Sequence, residues 1–124
     1  MEYAEKAVEN SSTIVGVACK DGIVLGTEKL VLNKMMTPGT DKRLYSISLN
    51  AGGVINGNTP DGRSVVQRAR EETAQYQNMY GIRMPGNVLA DRVSLNFQMK
   101  TLYSSYRPIG TSVIMAIHDN IKGF

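Results

Sequence analysis

Two hydroxyl side chains, Ser12 and Thr13, stand directly before the apolar run IVGVA. Such a hydroxyl can be the nucleophile of a hydrolase when it belongs to the first residue, because the free α-amine then takes its proton. Residues 1–11 precede Ser12 here, so the nitrogen beside each hydroxyl is a peptide nitrogen and cannot be that base. The sequence therefore predicts an inactive pair, unless the chain is cleaved before Ser12 or Thr13.

Other catalytic and metal-binding arrangements have few candidates in this sequence. The single histidine, His118, and the single cysteine, Cys19, are too few to supply the ligands of a zinc site. Asp119 follows His118 directly, but adjacent residues of a strand point to opposite faces and do not form the base and orienter of a triad. We therefore expect no metal and no cofactor, and a packed, unreactive Cys19.

The strands that must position these residues are predicted from β-rich runs and turn residues. TIVGVAC and GIVLGTEK are joined by Lys20-Asp21-Gly22, which favours a hairpin. LYSISL alternates between polar and apolar residues, and GGVINGN follows it, so these runs predict the third and fourth strands. TSVIMAIH predicts a fifth strand, for which no later segment offers a partner.

Three helices are predicted: a short one in EYAEKAVE and two longer ones later in the chain. Thr59-Pro60-Asp61 predicts the start of the first long helix, with the Thr59 hydroxyl as its cap, and Gly81 predicts its end. The second runs from about Asn87 to Ser105, and its wide apolar surface predicts burial on more than one side. We expect four methionines to fill the core: Met79, Met84, Met99 and Met115. Strands grouped before helices favour an α+β fold.

Composition narrows the class of protein. The chain has 124 residues, of which 42% are apolar and 20% charged, as expected of one globular domain. Its net charge of +3 is spread along the chain, which argues against nucleic acid as a partner. No apolar run is long enough to span a bilayer, and one cysteine allows no intrachain disulfide. We therefore expect a soluble protein of a reducing compartment.

Five separated blocks of the sequence resemble one protein family. EYAEKAVENSSTIVGVACKDGIVLGTEK resembles the start of 20S proteasome α-type subunits, and AVENSST is most similar to the type-3 subclass. The resemblance continues in the same order through DKRLYSI, TPDGRSVVQRAREE, LADRV and LYSSYRPIGTSVIMAI. It covers essentially the whole chain.

The resemblance implies a fold and its extent. The family fold is a four-layer αββα sandwich with antiparallel sheets, of the N-terminal-nucleophile hydrolase type. Residues 1–124 are expected to be a single partial α-subunit domain, without the gating tail and without the second half of the family domain. The implied class is again α+β.

The resemblance also implies a non-catalytic role. β-type subunits of the family are threonine proteases, whereas α-type subunits build the outer rings. The β-type nucleophile position falls on Ser12, the acid's position on Glu28 and the lysine's position near Arg43 or Leu44, where no lysine stands. The implied function is ring assembly, substrate gating and activator docking in ubiquitin-dependent protein degradation. The alternatives are an active hydrolase after cleavage before Ser12 or Thr13, and an unrelated soluble α+β domain.

Binding residues and partners are implied in the same way. The family's activator pocket matches Lys42, whose ammonium would pair with a terminal carboxylate, and Gly57, which lines the same pocket; the alternative for Lys42 is an ordinary loop lysine. INGNTPDG departs from the small or apolar residues that relatives carry before the helix. Implied partners are other α subunits in a seven-membered ring, β-ring subunits and regulatory activator particles, with no nucleic acid and no membrane, in the cytoplasm and the nucleus.

Overall fold

The computed structural model describes residues 2–31, 33–119 and 123, and within them the fold is α+β, as predicted. The helices are α1 (Glu2–Glu9), α2 (Thr59–Tyr80) and α3 (Gly86–Leu102). The strands are β1 (Ile14–Ala18), β2 (Ile23–Thr27), β3 (Leu44–Ser48), β4 (Ala51–Gly57) and β5 (Thr111–Ile117). All strand pairs in the two sheets are antiparallel.

The first sheet is the predicted hairpin of β1 and β2. Ile14 pairs with Thr27 at its open end, and Ala18 pairs with Ile23 beside the turn. The Cys19 amide donates to the Gly22 carbonyl oxygen at 2.7 Å, which closes the turn. Cys19 is exposed, so the expectation that it packs into a layer is wrong. It lies one residue beyond the paired strand, where the chain turns toward solvent.

The second sheet has the strand order β3-β4-β5. β4 is central and pairs with β5 along seven residues, from Ala51 opposite Ile117 to Gly57 opposite Thr111. The expectation that the fifth strand lacks a partner is therefore wrong. Its partner is β4, which precedes α2 and α3 in the sequence, whereas β5 follows them. No pattern of neighbouring residues could indicate a pairing over that distance.

The two faces of the three-stranded sheet carry different layers. Val113 of β5 packs with the helices in the main core, whereas its neighbour Ile114 faces the hairpin. A side chain on Gly16 of the hairpin would lie 3.2 Å from Ile114, which shows how closely the two sheets approach. Helices, sheet and hairpin therefore form three successive layers.

The core lies between the three-stranded sheet and the two long helices. On α3, Leu89 and Val93 are buried, but Leu95, Met99 and Leu102 are more than half exposed. The prediction that this helix is buried on more than one side is therefore wrong, because its second apolar stripe, formed by Leu95, Met99 and Leu102, lies at the surface. Met84 is buried, whereas Met79 is exposed. The core residues are Ile47, Ala51, Val65, Ala69, Met84, Leu89 and Val93.

Helix α2 begins and ends close to the predicted residues. Its N-cap is Asn58 and not Thr59, and the Asn58 side chain makes no capping hydrogen bond. Gly81 follows the last residue with φ of 70° and donates its amide to the Gln77 carbonyl at 2.8 Å, as the glycine predicts. The helix therefore starts directly after β4.

Candidate functional site

Ser12 belongs to a polar cluster that joins the two sheets. Its side chain is buried, and the Arg43 guanidinium donates from Nη1 to Ser12 Oγ. The same Nη1 donates to Asn56 Oδ1 at 3.2 Å, and Arg43 Nε lies 3.1 Å from Asp41 Oδ1. Ser11 Oγ donates to Asn56 Oδ1 and accepts the Gly57 amide at 2.9 Å. These hydrogen bonds link Ser11, Ser12, Arg43 and Asn56 to one another.

Three separate segments place this cluster at one end of the sandwich. Ser11 and Ser12 connect α1 to β1, and Arg43 directly precedes β3. Asn56 lies near the end of β4. Hydrogen bonds from the Arg43 side chain to Ser12 and Asn56 therefore hold the hairpin against the end of the three-stranded sheet.

The cluster lacks the chemistry that a serine nucleophile requires. Ser12 Oγ accepts a hydrogen bond from Arg43, and a guanidinium stays protonated in proteins, so Arg43 cannot take the serine proton. Glu28 accepts the backbone amide of Thr13 at 3.3 Å rather than the Ser12 hydroxyl. The contact with Arg43 orients the Ser12 hydroxyl.

The family positions expected from the sequence come together only in part. Arg43 contacts Ser12, at the place expected for the lysine, whereas Leu44 pairs with Val54 in the sheet. Glu28 lies beside Thr13, one residue from Ser12. The sequence placed Arg43 near the site but did not indicate its bonds to Ser12 and Asn56. Ser12 and Asn56 lie 31 and 13 positions from Arg43 in the sequence, so no local pattern could reveal these bonds.

Lys42 and Gly57, the predicted pocket residues, lie at the same end of the three-stranded sheet. Lys42 is exposed, and its Nζ is 5.4 Å from the centroid of the Tyr45 ring. The Tyr45 hydroxyl donates to the Lys42 carbonyl at 2.7 Å, which fixes the backbone there. Gly57 is half-buried, with φ of 99°. Their shared pocket remains a prediction.

A second polar feature closes the start of α2 against the segment before β5. The two carboxylate oxygens of Asp61 accept from Arg107 Nη1 at 2.7 Å and Nη2 at 2.5 Å. The Gly110 amide also donates to Asp61 Oδ2, at 3.1 Å. The hydrogen bond from Arg107 lowers the pKa of Asp61 below 3.8, and the Gly110 amide adds to this against the opposing effect of burial. Asp61 is therefore a structural carboxylate that must be ionised.

We expect Asp61→Asn to reduce stability at neutral pH and the deficit to shrink in acid. Because the folded-state pKa of Asp61 is lowered, its stabilisation is complete above the unfolded-state pKa of about 3.9 and is lost as pH falls through the folded-state pKa. Thermal unfolding of both proteins from pH 7 to pH 3 measures this. The control is Asp91→Asn on α3, an exposed aspartate. An Asp61 deficit that stays constant with pH would contradict the prediction.

The described part of the chain holds neither a metal-binding cluster nor a membrane-spanning helix. Residues 2–31, 33–119 and 123 hold no group of three or more histidine, cysteine or acidic side chains that could bind a metal ion. Among the described helices, none has both the length and the apolar character needed to cross a bilayer.

The sequence is similar to known proteins of one family. The model of the proteasome subunit family matches residues 8–124. The chain is 47% identical over 119 residues to proteasome subunit alpha type-3 of Spinacia oleracea and 45% identical to that of Arabidopsis thaliana. Each alignment covers 96% of this chain and 48% of the relative, so the chain spans about half the length of these curated relatives. The Drosophila melanogaster alpha type-3 subunit is 37% identical over 123 residues. The chain therefore belongs to the proteasome subunit family, as the resemblance to α-type subunits predicted.

Proposed function

We propose that the chain is a non-catalytic structural subunit of the outer α ring of the 20S proteasome. Its role would be ring assembly, substrate gating and activator docking in ubiquitin-dependent protein degradation. The observation that carries the proposal is the interior position of Ser12, whose hydroxyl is held by the Arg43 guanidinium. A serine with a peptide nitrogen and a permanently charged neighbour has no group to remove its proton.

The proposed partners follow from the similar proteins, which are named as proteasome subunits of alpha type. They are other α subunits in a seven-membered ring, β-ring subunits and regulatory activator particles. The proposed location is the cytoplasm and the nucleus. These partners and this location are proposed for a subunit of the relatives' full length, about half of which this chain spans.

The proposed activator site is Lys42 together with Gly57. The Lys42 ammonium is exposed, and no carboxylate among the described residues lies within ion-pair distance of it. A charged donor of this kind suits a terminal carboxylate that leaves water on binding. Asn56 and Asn58 flank Gly57, so the wall of the proposed site carries two amide side chains.

In an assembled particle, Lys42→Ala should weaken activator binding about tenfold, because the terminal carboxylate loses its charged hydrogen-bond donor. Ring assembly should be unchanged, since the Lys42 side chain is exposed. Activator titration and native mass spectrometry measure the two quantities. Lys20→Ala, in the exposed turn of the hairpin, is the matched control. Equal activator binding by Lys42→Ala and the unmodified subunit would refute the site.

The alternative function is an active hydrolase whose nucleophile is freed by cleavage before Ser12 or Thr13. Cleavage would remove α1 from the chain and leave a free α-amine beside the hydroxyl. The intact mass of the subunit in the particle separates the two functions. A mass that lacks the residues before Ser12 or Thr13, together with peptidase activity lost in the corresponding alanine variant, would favour the hydrolase.

A further inference from the structure

Three basic side chains lie along the edge formed by β3 and α2: Lys42, Arg63 and Arg70, which we call the basic strip. Lys42 lies two residues before β3, and Arg63 and Arg70 lie two turns apart on α2. All three side chains are exposed. Among the described residues, no carboxylate lies within ion-pair distance of any of them.

Two consecutive residues of β3 anchor the basic strip. Tyr45 lies under the Lys42 ammonium, 5.4 Å from ring centroid to Nζ, and its hydroxyl accepts from Arg63 Nε at 3.4 Å. The Ser46 carbonyl accepts from Arg70 Nε at 2.9 Å and from Nη2 at 2.7 Å. Three like charges held against one short strand repel one another, and a bound anion would relieve that repulsion.

Arg68, on the opposite side of α2, and Arg92 of α3 are placed differently. Arg68 and Arg92 both pair with the carboxylate of Glu72, at 2.5 Å and 2.9 Å. Glu71 also lies 3.7 Å from Arg68, so two carboxylates balance the two guanidiniums, and the buried Glu72 joins α2 to α3. The basic strip has no such internal counterion in the part of the chain that the structure describes. Its charges are therefore available to an external anion.

We propose that the basic strip binds an acidic segment of a partner protein, with the Arg63 guanidinium holding a carboxylate side chain. The inference rests on the proposed function, in which Lys42 holds a terminal carboxylate close by. Arg63 uses only Nε in its hydrogen bond to the protein, so its two terminal nitrogens are left for a bidentate carboxylate. Arg63 then selects partners that carry an aspartate or glutamate near their terminus.

The edge position of β3 favours recognition through side chains. An edge strand can pair with an extended partner through its free backbone groups. Here the Arg70 guanidinium already donates to the Ser46 carbonyl oxygen. A partner at this point would therefore contact the Arg70 side chain and not the backbone of β3. A nucleic acid fits the basic strip less well, because three cations and a net charge of +3 allow few phosphate contacts.

The test is the binding of a labelled octapeptide of four glutamates and four serines to the purified full chain, followed by fluorescence anisotropy. The peptide is amidated at its C-terminus, so that it carries side-chain carboxylates only. We expect Arg63→Gln to weaken binding about fivefold, the range of an exposed but bidentate charge pair. The control is Arg83→Gln, because Arg83 lies just beyond the opposite end of α2. This variant should bind the peptide as tightly as the unmodified chain does.

The outcomes separate this inference from the proposed function. Equal binding by Arg63→Gln and the unmodified chain overturns the inference, as does tighter binding of an oligonucleotide of the same charge. A peptide with glutamine in place of glutamate should no longer distinguish the two proteins. The amidated peptide has no terminal carboxylate, so its binding does not depend on the proposed pocket at Lys42. If Arg63→Gln weakens peptide binding while Lys42→Ala leaves activator docking normal, the pocket is refuted and the inference about Arg63 stands.

Discussion

With alanine in place of Gly57, the folded chain is expected to lose about 3 kcal/mol of unfolding free energy. Gly57 has φ of 99°, a conformation that residues with a side chain rarely adopt. An added Cβ would also lie 2.4 Å from the Gly110 carbonyl oxygen and 3.0 Å from the Thr111 Cα. Both are backbone atoms, so the clash is relieved only if β5 shifts away from β4. Denaturant unfolding of the chain measures the loss.

Gly26→Ala is the matched control for this substitution. Gly26 also lies in a strand, but its backbone is not left-handed and an added Cβ would have no heavy atom within 4 Å. Its unfolding free energy should stay within about 0.5 kcal/mol of the unmodified chain. Similar effects at both positions would mean that strand propensity decides the result. A large loss of unfolding free energy at Gly57 alone would show that the fold requires glycine at this position, whether or not Gly57 lines a pocket.

Leu89→Ala is expected to destabilise the chain by about 3 kcal/mol. Leu89 is 1% exposed and lies in the core between the long helices and the three-stranded sheet. Truncation removes apolar burial and leaves a cavity among residues that already pack closely. Thermal or denaturant unfolding monitored by circular dichroism measures the change.

Leu95→Ala provides the comparison on the same helix. Leu95 is 56% exposed, so its truncation should change stability by less than about 0.5 kcal/mol. This pair of variants also tests which side of α3 is packed. If Leu95→Ala costs as much as Leu89→Ala, the second apolar stripe is buried in solution, by self-association or by another chain.

Turns and helix ends could be predicted because neighbouring residues determine them. Asp21 and Gly22 suit a tight turn between two β-rich runs, and Gly81 adopts the left-handed conformation that ends α2. The cap was misplaced by one residue, to Thr59 from Asn58, because both residue types favour that position. Local preference sets these ends within a residue or so, whereas α3, predicted from about Asn87 to Ser105, spans Gly86–Leu102 and so ends three residues earlier than predicted.

Burial was harder to predict, because periodicity reports an apolar surface but not what covers it. The stripe of Leu95, Met99 and Leu102 has the spacing of a buried face, yet all three side chains are more than half exposed. Cys19 likewise follows a β-rich run but lies in the turn. Only the packing of the layers decides which of two apolar faces becomes the core.

The sequence alone determined the fold class, the hairpin, the long helices and the family, because each depends on residue types at short spacing or on ordered blocks of matching residues. It also placed a serine inside the chain, where its nitrogen cannot act as a base. Only the tertiary structure decided that Arg43 holds that serine, that Asp61 pairs with Arg107, and that β4 pairs with β5. These contacts join residues that are 31 to 66 positions apart, and their geometry depends on how the sheets and helices pack rather than on any local preference.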